Sequence, residues 1–471
     1  VFSSSSSWPG REDTPGVGVR GGGVLDGRER STMRQASLRH SAPLLLALLV
    51  CCGKCGGSEI RWNCAVAGVG NFFRAENWLP EMMPGPDTDV FLDPCRFPDG
   101  GIRTRTVDVN AAAISAIKSL RMISGAQFIF TVGKNQEFTI GTLHVDEDAQ
   151  LQFDTGWLKL ATSGQVAGHL KLTSVDFRGG TAALEVLSGG RLELVHVVST
   201  GSTFQTATLE LKTLVNRGTV AIEASEKTEL YFNLDNYGSF KTGAGDPIGA
   251  NRVWTNLGGG GATINFLGGA PIVLNVLLVN NAGTVKLLEN AEVTLPMLFS
   301  NSALIELGET NVGGVVLSSV LKLQGGLSML PGSVMQGKGR MELRGAPTPP
   351  GTVRYNVSGE CLGDVTLLIA RPARFTNPLS MGEGARLVLD PEAAGFALWG
   401  GTYDLTLSGS LHQPSFTSTS SSYGAIALHD LRIVNSGGKI DLSDLVVHSV
   451  NFQSEGASSL LVLRRASVGS P

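Results

Sequence analysis

The chain has 471 residues, of which only 17% are charged and 61 are glycine, against about 25% charge and about 7% glycine in ordinary soluble proteins. The formal net charge is −4, and no basic stripe is present to neutralise phosphate, which argues against nucleic acid as a partner. No run of about 18 apolar residues occurs, so no membrane span is expected within these residues.

Residues 1–32 are rich in Ser, Gly and Arg and lack a hydrophobic period. They read as upstream sequence or a disordered leader. From Met33 the pattern changes: Arg34 and Arg39 form a basic start, Leu44 to Val50 an apolar run, and Gly53, Gly56 and Gly57 a stretch of small residues. That order predicts a secretory signal peptide over 33–57, with an apolar run too short to cross a bilayer. Secretion or display at the cell surface is the expected localisation. Residues 1–57 hold seven basic and four acidic side chains, so the remainder carries 30 against 37 and a net charge of −7.

Residues 58–105 are loop-rich, with Pro80, Pro84, Pro86, Pro94 and Pro98 and the tryptophans Trp62 and Trp78. They are expected to form an N-terminal cap region. Cys64 and Cys95 are disulfide candidates that would close a loop of about thirty residues. Cys361 is left over, either buried and free or paired outside these residues. The three cysteines lack a C-x-x-C pair or a histidine at ligand spacing, so no metal site and no cofactor is expected.

Short alternating strands begin near Thr106-Val-Asp-Val109 and continue to about residue 345, with glycine pairs such as Gly179-Gly180 and Gly189-Gly190 just before new strands. Alternation sends every second side chain inward. Within this span one phrase recurs: Leu214-Val-Asn-Arg-Gly-Thr-Val-Ala-Ile222, then Leu234 to Thr242, then Val279 to Leu287. Its asparagines, Asn216, Asn236 and Asn256, are twenty residues apart, and Asn281 and Asn301 repeat the interval after a step of 25. A fixed period of this length marks a stacked repeat. Asparagines in register with strands suggest a ladder, each amide bonding the coil above and below. The expectation is an all-β chain folded as a single-stranded right-handed parallel β-helix, a β-solenoid, rather than a sandwich, because hairpin Asn-Gly and Asp-Gly pairs are nearly absent.

Thr348-Pro-Pro-Gly351 breaks the rhythm, and residues 346–378 read as a loop or insertion. Asn356-Val-Ser358 within it is a glycosylation sequon. The strands resume over 379–471, where Asn435 opens a phrase like the earlier ones. The run Ser415 to Ser422 reads as a loop or an O-glycan site.

Asn77-Trp78, a proline-rich step through Pro84, and then Asp87-Thr-Asp89-Val90 lead into the first strands. This segment resembles the opening of secreted β-helical surface proteins of the adhesin and autotransporter kind. It is also similar to the extracellular N-terminus of the endocytic co-receptor amnionless. The structural alternative is that Trp78 plugs the open end of the solenoid and Asp87 or Asp89 caps a turn.

Polysaccharide lyases and hydrolases would need paired carboxylates, or an acidic cluster with a basic partner. Asp146-Glu-Asp148 reads as a solvated turn, Arg371-Pro-Ala-Arg374 as two loop arginines, and the seven histidines are scattered. No catalytic residue is assigned. The expected function is a non-enzymatic secreted or cell-surface β-helical protein with an adhesive or structural role, contacting an extracellular protein or glycan surface. Two alternatives stand beside it: a polysaccharide-active lyase or hydrolase, which predicts carboxylates and basic residues converging on one face, and an endocytic receptor ectodomain.

Overall fold

The computed structural model describes residues 58–468 apart from short gaps at 66–67, 97–98, 110–114, 134–135, 197–206, 224–227, 246–251, 259–260, 289, 313–314 and 346–354, and a series of segments from 390 onward (390–396, 400–403, 408–409, 413–425, 430–431, 442–444, 448–449 and 463–466). The leader, the signal peptide and the Ser415–Ser422 run lie outside the described residues.

The described chain is almost entirely β, with one short 3-10 turn at Ala75–Asn77, and nearly all its strand pairs are parallel. It is a parallel β-solenoid. One coil shows the plan. The strand Ala207–Asn216 bends after Glu210, so that 208–211 form a first face and 213–216 a second, and Thr219–Ile222 forms a third. Alternation places Leu209, Leu211, Leu214, Asn216, Val220 and Ile222 inside, all buried. The next coil sets Leu230 under Leu209, Leu234 under Leu214 and Phe240 under Val220. Each inward position therefore becomes a column of stacked side chains, and each buried aliphatic residue contributes about 1.5–3 kcal/mol before entropy is subtracted.

The second-face column can be followed from Ile60 through Val90, Leu120 and Leu143. It continues past Gly164 and Leu184 to Leu214, Leu234 and Trp254. It reaches Leu278, Phe299, Leu327 and Tyr355 without a break.

This continuity corrects two expected boundaries. Glu59–Trp62 already pairs in parallel with Asp89–Leu92, so solenoid register begins at Glu59 rather than near 106. The prolines between these strands obscured the alternation of Ile60/Trp62 with Val90/Leu92. The region 346–378 is likewise no insertion from Tyr355 onward: Tyr355–Ile369 is one strand crossing three faces, paired with Val334–Leu343 and with Ala373–Met381. Its alternation through Val365, Leu367 and Ile369 outweighs the Pro-Pro-Gly signal upstream.

Corners between the second and third faces are tight. A Cβ on Gly218 would lie 2.3 Å from the carbonyl oxygen of Gly190, and one on Gly238 would lie 2.3 Å from that of Gly218. Only a residue without a side chain lets successive corners stack at coil spacing. Two short elements depart from the parallel plan: Trp78–Leu79 pairs antiparallel with Glu59–Trp62, and Glu309–Val312 pairs antiparallel with the start of Val315–Leu323, where Val315, Val316 and Leu317 are exposed.

Candidate functional site

The asparagines predicted to stack do form a seam, but with a shift. Asn216 Nδ2 donates to Asn236 Oδ1 (2.8 Å), Asn236 to Asn256 (2.8 Å), Asn256 to Asn280 (3.0 Å) and Asn280 to Asn301 (2.7 Å). All five are fully buried. The fourth rung is Asn280, not Asn281, which is exposed. Matching Asn281-Ala-Gly283 to Asn236-Tyr-Gly238 was misleading because the corner after Asn280 is one residue longer. What stays constant is the strand register, Asn256 opposite Asn280 opposite Asn301.

Each amide also reaches the carbonyl that opens the third face one coil on: Ser239, Thr263, Thr284 and Leu304 in turn. At the far end Asn301 meets Met329 in the next coil and donates to Ala303 of its own. Asn435 repeats the local bond, its Nδ2 donating to the Gly438 carbonyl, but it lies on a different column opposite Leu407 and Ser454. The seam belongs to the scaffold and presents nothing to a ligand.

The motif at 77–90 is also inside. Trp78 is fully buried, its indole N–H donates to the Phe72 carbonyl at 2.7 Å, and its ring meets Trp62 and Phe72 edge-on. Phe72 in turn contacts Phe130 and Phe138 of later coils. The aromatic cluster fills the first coils, and Asn77 Nδ2 holds the turn by donating to the Asn71 carbonyl. Pro84 is buried and Asp87 exposed. The turn that an aspartate was expected to cap is closed by Thr88, whose hydroxyl accepts from Gly85 N–H. Cys64 and Cys95 are joined by a disulfide that ties this region across 31 residues.

Asn356 lies on a strand between Ser328 and Arg374, not in a loop, and the Ser358 hydroxyl is buried and donates to the Met329 carbonyl. Arg374 is exposed on a strand, while Arg371 Nε donates to the Gly345 carbonyl; this pair is structural.

The candidate site is the outer surface of the second face in the first coils, a groove of about 720 Å³. Its floor is a column of short side chains, Asp89, Ser119, Thr142, Ser163 and Ala183, one per coil and polar up to Ser163. Beside it runs a second column of larger groups: Phe91, Arg121, His144, Gln165 and Glu185. The corner leading into this face holds one residue at Lys118 and Gly141, two at Ala161–Thr162 and three at Gly180–Ala182, so the strands bulge beside the groove. Bulges of this kind re-aim neighbouring side chains. The sequence reading missed these columns; the only signal was the recurrence of Ser or Thr at outward strand positions.

Of the charged side chains that line the groove, Asp89, Arg121, Glu185 and Arg217 are held in ion pairs. Asp89 accepts from Lys118 Nζ at 2.7 Å and from the Ser119 hydroxyl at 2.6 Å. Arg121 bonds Asp146 at 3.2 Å. Glu185 accepts from Arg217 Nε at 3.0 Å and Gln165 Nε2 at 3.4 Å, and Arg217 lies over the Tyr237 ring. Partial burial works to raise the Asp89 carboxyl, but the Lys118 and Ser119 hydrogen bonds and the Lys118 charge outweigh it and hold the carboxyl below its ordinary value. Asp89 is thus kept ionised, the reverse of a general acid.

The Asp146–Asp148 turn gives Asp146 to Arg121, and Glu147 and Asp148 border a second recess of about 590 Å³ with His169 and Arg191. His169 and Arg191 both face Glu193. Among the described residues no group of three His, Cys, Asp or Glu is arranged to hold a metal ion, and no helix is long and apolar enough to cross a membrane. No family model, no curated protein and no solved structure matches the chain.

Proposed function

We propose that the chain is a secreted or cell-surface, non-enzymatic β-helical protein with an adhesive or structural extracellular role, contacting its partner through the second-face groove. The carrying observation is that the groove's floor bears the hydroxyls of Ser119, Thr142 and Ser163, while Asp89, Arg121, Glu185 and Arg217 are held in ion pairs. Such a surface holds a ligand by many modest contacts and offers no poised acid. The Cys64–Cys95 disulfide supports an oxidising compartment. The signal-like 33–57 segment and the resemblance of 77–90 to adhesin-like and amnionless-like N-termini support the same placement.

One observation favours a second reading: Glu59, Asp89, Arg121, Glu185 and Arg217 from successive coils converge on one groove, as a polysaccharide-active enzyme requires. The full chain expressed in a secreting cell line separates the two. The adhesive reading expects recovery from the medium, saturable binding to cells or extracellular matrix, and no new reducing or unsaturated ends from a polysaccharide panel. Turnover of any polysaccharide, abolished by Glu185→Gln, would overturn it.

A further inference from the structure

The groove's geometry narrows its ligand. Backbone N–H and C=O groups in a parallel sheet are consumed between coils, as in the run of pairs from Asp89 through Ser119 and Thr142 to Ser163. A ligand on this face therefore finds no free strand edge and meets side chains alone, which disfavours an extended peptide that must satisfy its own backbone. Between Asp89 and Ala183 the side chains on the floor are hydroxyls: Ser119, Thr142 and Ser163, the last two exposed. The Thr142 and Ser163 hydroxyls can both donate and accept, as can the Gln165 amide beside them, while Ser119, which donates to Asp89, is left to accept. They repeat at the coil spacing of about 4.8 Å, which is close to the length of one pyranose residue. Arg121, Asp89, Glu185 and Arg217 are neutralised by partners within the protein, and the remaining charged lining residue, Glu59, is acidic, so the groove carries no excess positive charge to attract a polyanion.

We propose that this groove binds an extended, uncharged oligosaccharide lying along the solenoid axis, its sugar hydroxyls exchanging hydrogen bonds with the Ser119–Thr142–Ser163 column. This rests on the reading of the protein as an extracellular binding scaffold. Binding strengthens with chain length up to the number of coils that the groove crosses, because each added sugar meets another row of side chains. Ala183, exposed and small, marks where the floor continues toward Arg217.

The test is calorimetric titration of the full secreted chain with neutral β-1,4-linked di-, tetra- and hexasaccharides of glucose and of N-acetylglucosamine, with oligogalacturonate and heparin hexasaccharides as charged controls. At least one neutral series is expected to bind, the hexamer at least about tenfold more tightly than the dimer. Ala183→Trp fills the floor from an exposed position and should abolish binding with an unchanged circular dichroism spectrum. Ser163→Ala should weaken binding by about fivefold or more, a loss of hydrogen bonding without a change of shape. Preference for the charged controls, or full binding by Ala183→Trp, overturns the proposal. If the wild type binds cells or matrix but none of the neutral sugars, the oligosaccharide assignment fails while the adhesive reading stands. If it binds neither, both fail.

Discussion

Asn256 and Asn280 are hydrogen-bonded side chain to side chain at 3.0 Å although 24 residues separate them, while Asn236 and Asn256 make the same bond across 20. The seam therefore follows the strands and not the count of residues. The extra residues fall between Asn256 and Thr263, and the strand register on either side is kept.

Replacing Asn280 by Leu should destabilise the protein by about 1–3 kcal/mol, because Asn256 Nδ2 and Asn301 Oδ1 each lose a buried partner. Replacing Asn281, which is exposed, should change stability by no more than about 0.5 kcal/mol. Chemical denaturation of the two variants decides the register. Equal effects would contradict the ladder described here. Asn236→Leu should behave like the Asn280 variant, since it too serves a rung on either side.

The Cys64–Cys95 bridge closes a loop across 31 residues, which in the chain-entropy model corresponds to about 3–4 kcal/mol. The double variant Cys64→Ser/Cys95→Ser should unfold at lower denaturant in its first coils. Hydrogen exchange localises the effect: protection should fall at Ile60, Trp78 and Val90 and stay unchanged near Asn256.

Burial pushes the Cys361 thiol up to about 12. In the native protein it should remain unlabelled by a thiol reagent at pH 8 over hours and react at once in denaturant. Rapid labelling of the folded chain would show that the column through Met335, Cys361 and Met381 opens easily.

Asp89 carries a pH dependence with a defined sign. Its folded value lies below the ordinary 3.8, so its ion pair with Lys118 contributes fully above that value and is lost as pH falls through the lower folded one. Asp89→Asn should therefore lower stability at neutral pH and flatten the loss of stability on acidification. Thermal melts of both proteins from pH 6 down to about 2.5 read this directly. Parallel acid limbs would remove Asp89 from the account.

Much of this protein was legible in its residues. Alternating Leu and Val determined which side chains face inward, because a period of two does so whatever the partner strand is, and asparagines in register with few hairpin dipeptides pointed to parallel stacking. Buried asparagines at near-constant intervals determined the seam in kind, and Cys64 and Cys95 were the natural pair in the cap. Tertiary structure alone decided the rest. It placed Asn280 rather than Asn281 in the ladder, since corner length is invisible until coils are stacked. It carried the solenoid through Glu59–Trp62 and Tyr355–Ile369, where prolines and a sequon suggested loops, because pairing with neighbouring coils outweighs local turn propensity. It assembled Ser119, Thr142, Ser163, Arg121, His144 and Gln165 into one groove. These residues are about twenty apart in the chain and share no motif, and only the closing of each coil brings them to adjacent rows.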